Sequence, residues 1–236
     1  MITDRILKML ENSAEPERLE VLKKFFKSEK GEYAEGDVFI GVRVPNQRNI
    51  AKQFFKEITL DELQKLINNE IHEVRSTALF ILVLKFEKLK LESRKKKIVE
   101  FYLKNLDYVN HWDLVDSSAY KILGPYLLDK NKKLLYDLAY SDHLWRQRIS
   151  IITTLYFIKK NRFYDTLELA KILINHEHDL IHKAVGWMIR EVGNRDFDIA
   201  YSFLVEHYKT MPRTMLRYAI EKFDKSLRKD FLRGKL

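Results

Sequence analysis

Over most of this chain the apolar positions recur every three to four residues, the period of a helix with one buried face. In "ERLEVLKKFFKS", Leu19, Leu22, Phe25 and Phe26 fall at i, i+3, i+6 and i+7. "TLDELQKLINNE" opens on Thr59 with Glu62 three residues later, the signature of a capping box. "YDTLELAKILINHE", "FDIAYSFLVEHYKTM" and "PRTMLRYAIEKF" repeat the period, the last with Pro212 at a first helical turn. Roughly a dozen helices joined by short links are predicted, with boundaries good to about 2–4 residues. One stretch interrupts them. "SEKGEYAEGDVFIGVRVPNQR" (28–48) holds three Gly and a Pro, and predicts a long loop before a helix led by Pro45. Loops of that length inside a compact domain often carry function, and "FIGVRVP" is too apolar to be only solvated.

A repeat underlies the helices. "IHEVRSTALFIL", "NHWDLVDSSAYKIL", "DHLWRQRISIITTLYF" and "HDLIHKAVGWMIRE" each begin at a polar turn and run into a long apolar helix. With His72, His111, His143 and Asp179 as equivalents, the spacings are 39, 32 and 36 residues. That is degenerate HEAT-like or armadillo-like spacing, shorter than the usual repeat of about 40–47 residues. The expected fold is all-α, a helical-repeat solenoid with a concave basic groove. No linker composition appears, so a single domain over 1–236 is expected.

Composition narrows the classes. Seven Gly and four Pro in 236 residues argue against an all-β chain. Without Cys there is no disulfide, no thiolate nucleophile and no cysteine-held metal. The longest apolar run, "ALFILVL" (78–84), is far too short to span a bilayer. The amphipathic start lacks the apolar core of a signal peptide. A cytoplasmic protein, or a nuclear one if the source is eukaryotic, with no membrane partner is expected. A formal charge of +9 favours a polyanionic partner, nucleic acid first.

The residues near the repeated turns are unusual. They are Trp112, Asp113 and Asp116, then Trp145, Arg146 and Arg148, then Lys183, Trp187 and Arg190. All three tryptophans fall here, each within a few residues of a charge. Trp112 and Asp116 are four apart and share a helix face, and a surface that wants both indole and carboxylate is a cleft. Trp145 fits either cleft or core, since Leu144 and Ile149 flank it. Arginines in a cleft clamp phosphates or carboxylates; Arg148 could equally partner Asp116. His72, His111, His143 and His182 read as turn and capping residues, and "HEH" (176–178) as a helix end. No metal-ligand spacing is expected to matter. Phosphate-binding glycine loops and nucleophile elbows are absent, which on base rate favours a binding protein.

"W-D-x-V-D" (112–116), "W-x-Q-R" (145–148) and "K-A-V-G-W-x-x-R-E" (183–191) resemble the three motifs of the AlkD-like DNA alkylation repair glycosylases. "KGEYAEGDVFIGVRVPNQR" resembles that family's N-terminal signature, so the likeness covers nearly the whole chain. The resemblance implies HEAT-like repeats and removal of cationic N3- and N7-alkylpurines from duplex DNA, without the base flipping used by most glycosylases. It makes Asp116 the catalytic carboxylate, Trp112 and Trp187 the aromatic walls around the deoxyribose, and Arg148 the phosphate-contacting arginine. Phe25 or Phe26 would stand where relatives bring an aromatic to the DNA. Further DNA contacts are expected from Asp113, Arg146, Lys183, Arg190, Arg43 and Arg48, and Asp113 either assists Asp116 or caps its helix. "SRKKKIVE" (93–100) and "KKNR" (159–162) would add backbone attraction or form solvated helix ends. A monomer without cofactor or metal, nucleoid-associated by function, is expected. The competing reading is a catalytically silent helical-repeat protein that binds damaged or branched DNA. A protein-interaction scaffold is a third.

Overall fold

The computed structural model describes residues 1–236. It is all-helical: α1 (Ile2–Glu11), α2 (Leu19–Phe26), α3 (Val44–Phe54), α4 (Leu60–Ile67), α5 (His72–Lys88), α6 (Glu92–Lys104), α7 (Trp112–Leu127), α8 (Lys133–Ala139), α9 (Leu144–Thr153), α10 (Leu155–Ile158), α11 (Tyr164–Leu173), α12 (Asp179–Gly193), α13 (Phe197–His207), α14 (Arg213–Ala219) and α15 (Lys225–Arg233). The chain divides into two compact units, Met1–Ser118 and Ala119–Leu236, and the division falls inside α7. No helix is long and apolar enough to cross a membrane.

The first unit is built around α5. Its "ALFILVL" run is apolar on every side, and α1, α3, α4 and α6 pack around it. Thirteen of its seventeen residues are buried, as a helix without a polar face requires. The predicted capping box at α4 is present: the Thr59 hydroxyl accepts from the Glu62 N–H at 3.2 Å, and the Glu62 carboxylate accepts from the Thr59 N–H at 3.1 Å.

The interrupting loop is seated against α5. The His72 N–H donates to the Val38 carbonyl at 2.8 Å, within a single parallel bridge between Val38 and Ile71. Buried Glu73 accepts from the N–H groups of Ile40 at 3.2 Å and Gly41 at 2.9 Å. Phe39 and Val42 enter the core, which is why "FIGVRVP" is apolar. Gly41 has φ +88°, and a Cβ there would lie 2.2 Å from the Glu15 carbonyl oxygen. Only glycine fits so close a backbone approach in a left-handed conformation.

The second unit centres on α12, which packs against α9, α11, α13 and α14. Gly186 brings α14 close, since a Cβ there would lie 2.4 Å from the Met215 carbonyl oxygen. Pro212 occupies the N-cap of α14, one place before the predicted first turn. The four polar turns of the repeat all open helices as expected. His72 and Asp179 begin α5 and α12, His111 directly precedes α7, and His143 caps α9.

Candidate functional site

In the first unit, the opening turn of α7 presents Trp112, Asp113 and, one turn on, Asp116. Trp112 and Asp116 are both half-buried. Trp112 meets Phe25 edge-on at 5.7 Å between ring centroids, and lies tilted to Phe26 at 5.7 Å and His111 at 5.6 Å. The two phenylalanines have different environments. Phe25 is 60% exposed, whereas Phe26 stacks on Phe39 at 5.1 Å and touches the rings of His72 and His111. Phe25 is therefore the aromatic with a face still to offer, and Phe26 is the anchor that holds α2 in place.

Asp113, expected among the DNA contacts, has its carboxylate turned to two buried histidines. His72 Nε2 donates to Oδ2 at 2.9 Å, and His111 Nδ1 meets Oδ1 at 2.7 Å. The other ring nitrogens are engaged too. His72 Nδ1 donates to Asp37 at 3.1 Å, and His111 Nε2 faces the Phe26 carbonyl at 3.1 Å. Arg75 completes the chain with a 2.6 Å bond from Nη2 to Asp37 Oδ1. His72 and His111 stand at the helix starts that the sequence suggests, but their side chains do more than mark a turn. They join the loop, α2, α5 and α7 from inside.

The electrostatics follow from these contacts. Burial opposes a charge on His72, but Asp113 and Asp37 outweigh it and pull its pKa up to about 9. Burial likewise opposes ionised Asp113, yet His72 and His111 hold its carboxyl well below the usual range. Asp37 is also lowered, by His72 and Arg75 against its own burial. Two carboxylates are thereby balanced by one imidazolium and one guanidinium. His72, His111 and Asp113 offer ligand atoms within 4.8 Å of one another, a donor set that suits a divalent metal. A metal would have to replace the proton on His72. Near Asp116, Tyr102 bonds Ser118 at 2.9 Å. Burial pushes its phenol up, with a further contribution from the Asp116 charge.

The remaining candidates in this unit have partners of their own. Arg43 pairs with Glu15 at 2.7 Å, and Arg48 lies 5.2 Å over the Phe80 ring.

In the second unit, Arg148 is only 4% exposed and donates from Nη1 to the Leu180 carbonyl at 2.5 Å. That bond ties the end of the "W-x-Q-R" motif to the first turn of α12. Trp145 is buried, which settles it as core. Half-buried Trp187 donates from Nε1 to Glu191 at 3.2 Å, so Glu191 orients an indole within its own helix. Lys183 pairs with Asp179 at 2.6 Å, and Arg190 with Glu221. The Arg146 N–H is capped by His143 Nδ1 at 3.4 Å. His178 caps α12 by accepting from the Leu180 N–H at 3.1 Å, so "HEH" forms the turn that starts this helix. His182 Nε2 bonds the His176 carbonyl in the same turn.

Among curated proteins, none matches this chain. A solved structure described as a predicted DNA alkylation repair enzyme from Enterococcus faecalis is similar in fold. Its TM-score is 0.70 at 17% identity, over 90% of this chain and 98% of that one. The profile of one family, the DNA alkylation repair enzymes, matches residues 6–223. With that match running through the loop, the opening of α7 and the α9 and α12 motifs, the chain belongs to the DNA alkylation repair enzyme family.

Proposed function

We propose that this protein is a DNA glycosylase that excises cationic N3- and N7-alkylated purines from duplex DNA. The observation that carries the reading is the division of labour in "W-D-x-V-D". Asp113 serves His72 and His111, and half-buried Asp116 shares the Trp112 face of α7, the pairing of indole and carboxylate that the proposed chemistry uses.

Alkylation at N3 or N7 makes the purine a cation, so it departs as a neutral base and needs no proton from an acid. Positive charge develops instead on the deoxyribose. A fixed carboxylate lowers the energy of that oxocarbenium and can orient the attacking water. An indole face adds cation–π attraction of about 0.5–2 kcal/mol. In this reading Trp112 is the aromatic wall beside Asp116, and the family resemblance gives Trp187 and Arg148 aromatic and phosphate-contacting roles of their own. Phe25, exposed beside Trp112, is the α2 residue that approaches DNA. The base stays unflipped, and the chain acts as a monomer without cofactor.

The test is release of free alkylated purine from methylated duplex DNA by wild type and Asp116→Asn. That substitution keeps the shape and removes the charge. Release should fall by about 100–1000-fold, the usual cost of losing one transition-state electrostatic contact, while DNA affinity is kept. Binding without release by the wild type would sink the enzyme reading and leave a silent DNA binder.

A further inference from the structure

The basic run in "SRKKKIVE" opens α6, the end of a helix where the dipole disfavours cations. Arg94, Lys95, Lys96 and Lys97 follow one another there, behind a single Glu92. Two of the four have local uses. Lys95 Nζ lies 5.4 Å over the Phe86 ring, and Lys96 pairs with Glu100 at 3.7 Å. Arg94 and Lys97, three apart and so on one face, line a cavity of about 350 Å³ in the first unit.

Lys56, Lys85 and Lys88 line the same cavity from just beyond α3 and from the last turn of α5. Its apolar surface comes from Phe55, Leu60, Leu89 and Ile98, and no carboxylate lines it. The three lysines stand at helix C-termini, where the dipole favours them. Nothing of that kind explains Arg94 and Lys97. Half-buried Lys85 is drawn towards its neutral form by burial, with Glu62 opposing. Five cations around one apolar floor repel one another, and a bound anion would remove that repulsion.

We propose that this cavity binds a small phosphate monoester with an aromatic or aliphatic body. The phosphate would meet the cationic rim and the body would cover the floor. A phosphate monoester carries close to two negative charges near neutral pH and three acceptor oxygens, which suits a rim of several ammonium groups and one guanidinium fork. The cavity is an open depression whose volume lies at the lower end of small-molecule sites, about 300–1,000 Å³. A duplex backbone could use the rim but would leave the apolar floor uncovered. This site is independent of the glycosylase reading and stands or falls alone.

Isothermal titration calorimetry of the full chain with 1-naphthyl phosphate tests it. One-to-one saturable binding is expected, with inorganic phosphate at least about tenfold weaker. Arg94→Gln/Lys97→Gln should weaken the naphthyl phosphate by at least about tenfold. Lys225→Gln/Lys229→Gln, the same charge change on α15, should leave it unaltered. All four side chains are exposed, so unchanged unfolding midpoints will show that the fold is kept. Absence of saturable binding overturns the proposal, as does equal affinity for inorganic phosphate or undiminished binding by Arg94→Gln/Lys97→Gln. Tighter binding of naphthalene-1-carboxylate overturns the phosphate assignment. A short undamaged duplex that alone loses affinity in that variant would make these residues backbone contacts instead.

Discussion

Histidines stand at helix starts in both units, yet their ring nitrogens are used in opposite senses. In the first unit His72 donates from both ring nitrogens, to Asp37 and Asp113, and is held as a buried cation with a pKa of about 9. In the second, His143 and His178 each accept a backbone N–H at a helix start through Nδ1. A cap of that kind works only while the accepting nitrogen is unprotonated. Burial, with help from His182, Arg148 and Lys183 against Asp179, lowers the His178 pKa and keeps it so. The difference lies in what surrounds each ring: two carboxylates on one side, helix N-termini and cations on the other. Residue type and repeat position alone do not fix the role.

The strongest way to break this contrast is to remove the carboxylate that His72 and His111 share. Asp113→Ala should destabilise the chain by about 3–5 kcal/mol in urea unfolding, the usual cost of leaving a buried charge without its partner. A loss below about 1 kcal/mol would mean that the pair contributes no more than a surface ion pair.

The pH dependence sharpens it. A folded-state pKa raised from 6.5 to about 9 gives stability that is fully present below pH 6.5 and is lost as pH rises through 9. The advantage of wild type over His72→Gln should therefore shrink by about 3 kcal/mol across that window. An advantage that does not change with pH would mean His72 is neutral. For His176 and His178, whose pKa values are lowered, the sign reverses. Their contribution is present above pH 6.5 and disappears as pH falls through their lowered values. Amide exchange at the start of α12 should accordingly quicken in acid, while that at the start of α5 quickens in base relative to the general trend.

The smallest effect belongs to a single cap. His143→Ala should cost about 1 kcal/mol in the same urea titration, several times less than Asp113→Ala. Comparable losses for the two would erase the distinction between a cap and a buried bridge.

The helices and their starting points were open to reading because both depend on neighbours in sequence. Thr59 and Glu62 are three residues apart, and the turns at His72, His111, His143 and Asp179 each precede an apolar period. What could not be read depends on partners far along the chain. His111 looks like a capping residue until Phe26, 85 positions earlier, is brought beside it. Phe25 and Phe26 are adjacent and chemically identical; only the seat formed by Phe39, His72 and His111 separates exposed from packed. The Asp37–His72–Asp113 chain left one faint signal, histidines 39 residues apart at the same repeat position with an aspartate just after the second. Arg43 and Arg48, expected to contact DNA, have partners that only the fold supplies, Glu15 and the Phe80 ring.

The bond from His111 to the Phe26 carbonyl has a consequence for the order in which the chain assembles. Its partners are 85 residues apart, and the seat it completes also needs α5 and the start of α7 in place. Closing so long a loop carries an entropic cost that is met only once those helices exist. Phe26 is therefore synthesised well before His111, the partner that completes its seat. A nascent chain that ends before residue 111 carries Phe26 without the His111 wall of its seat, a partly uncovered apolar segment of the kind chaperones bind.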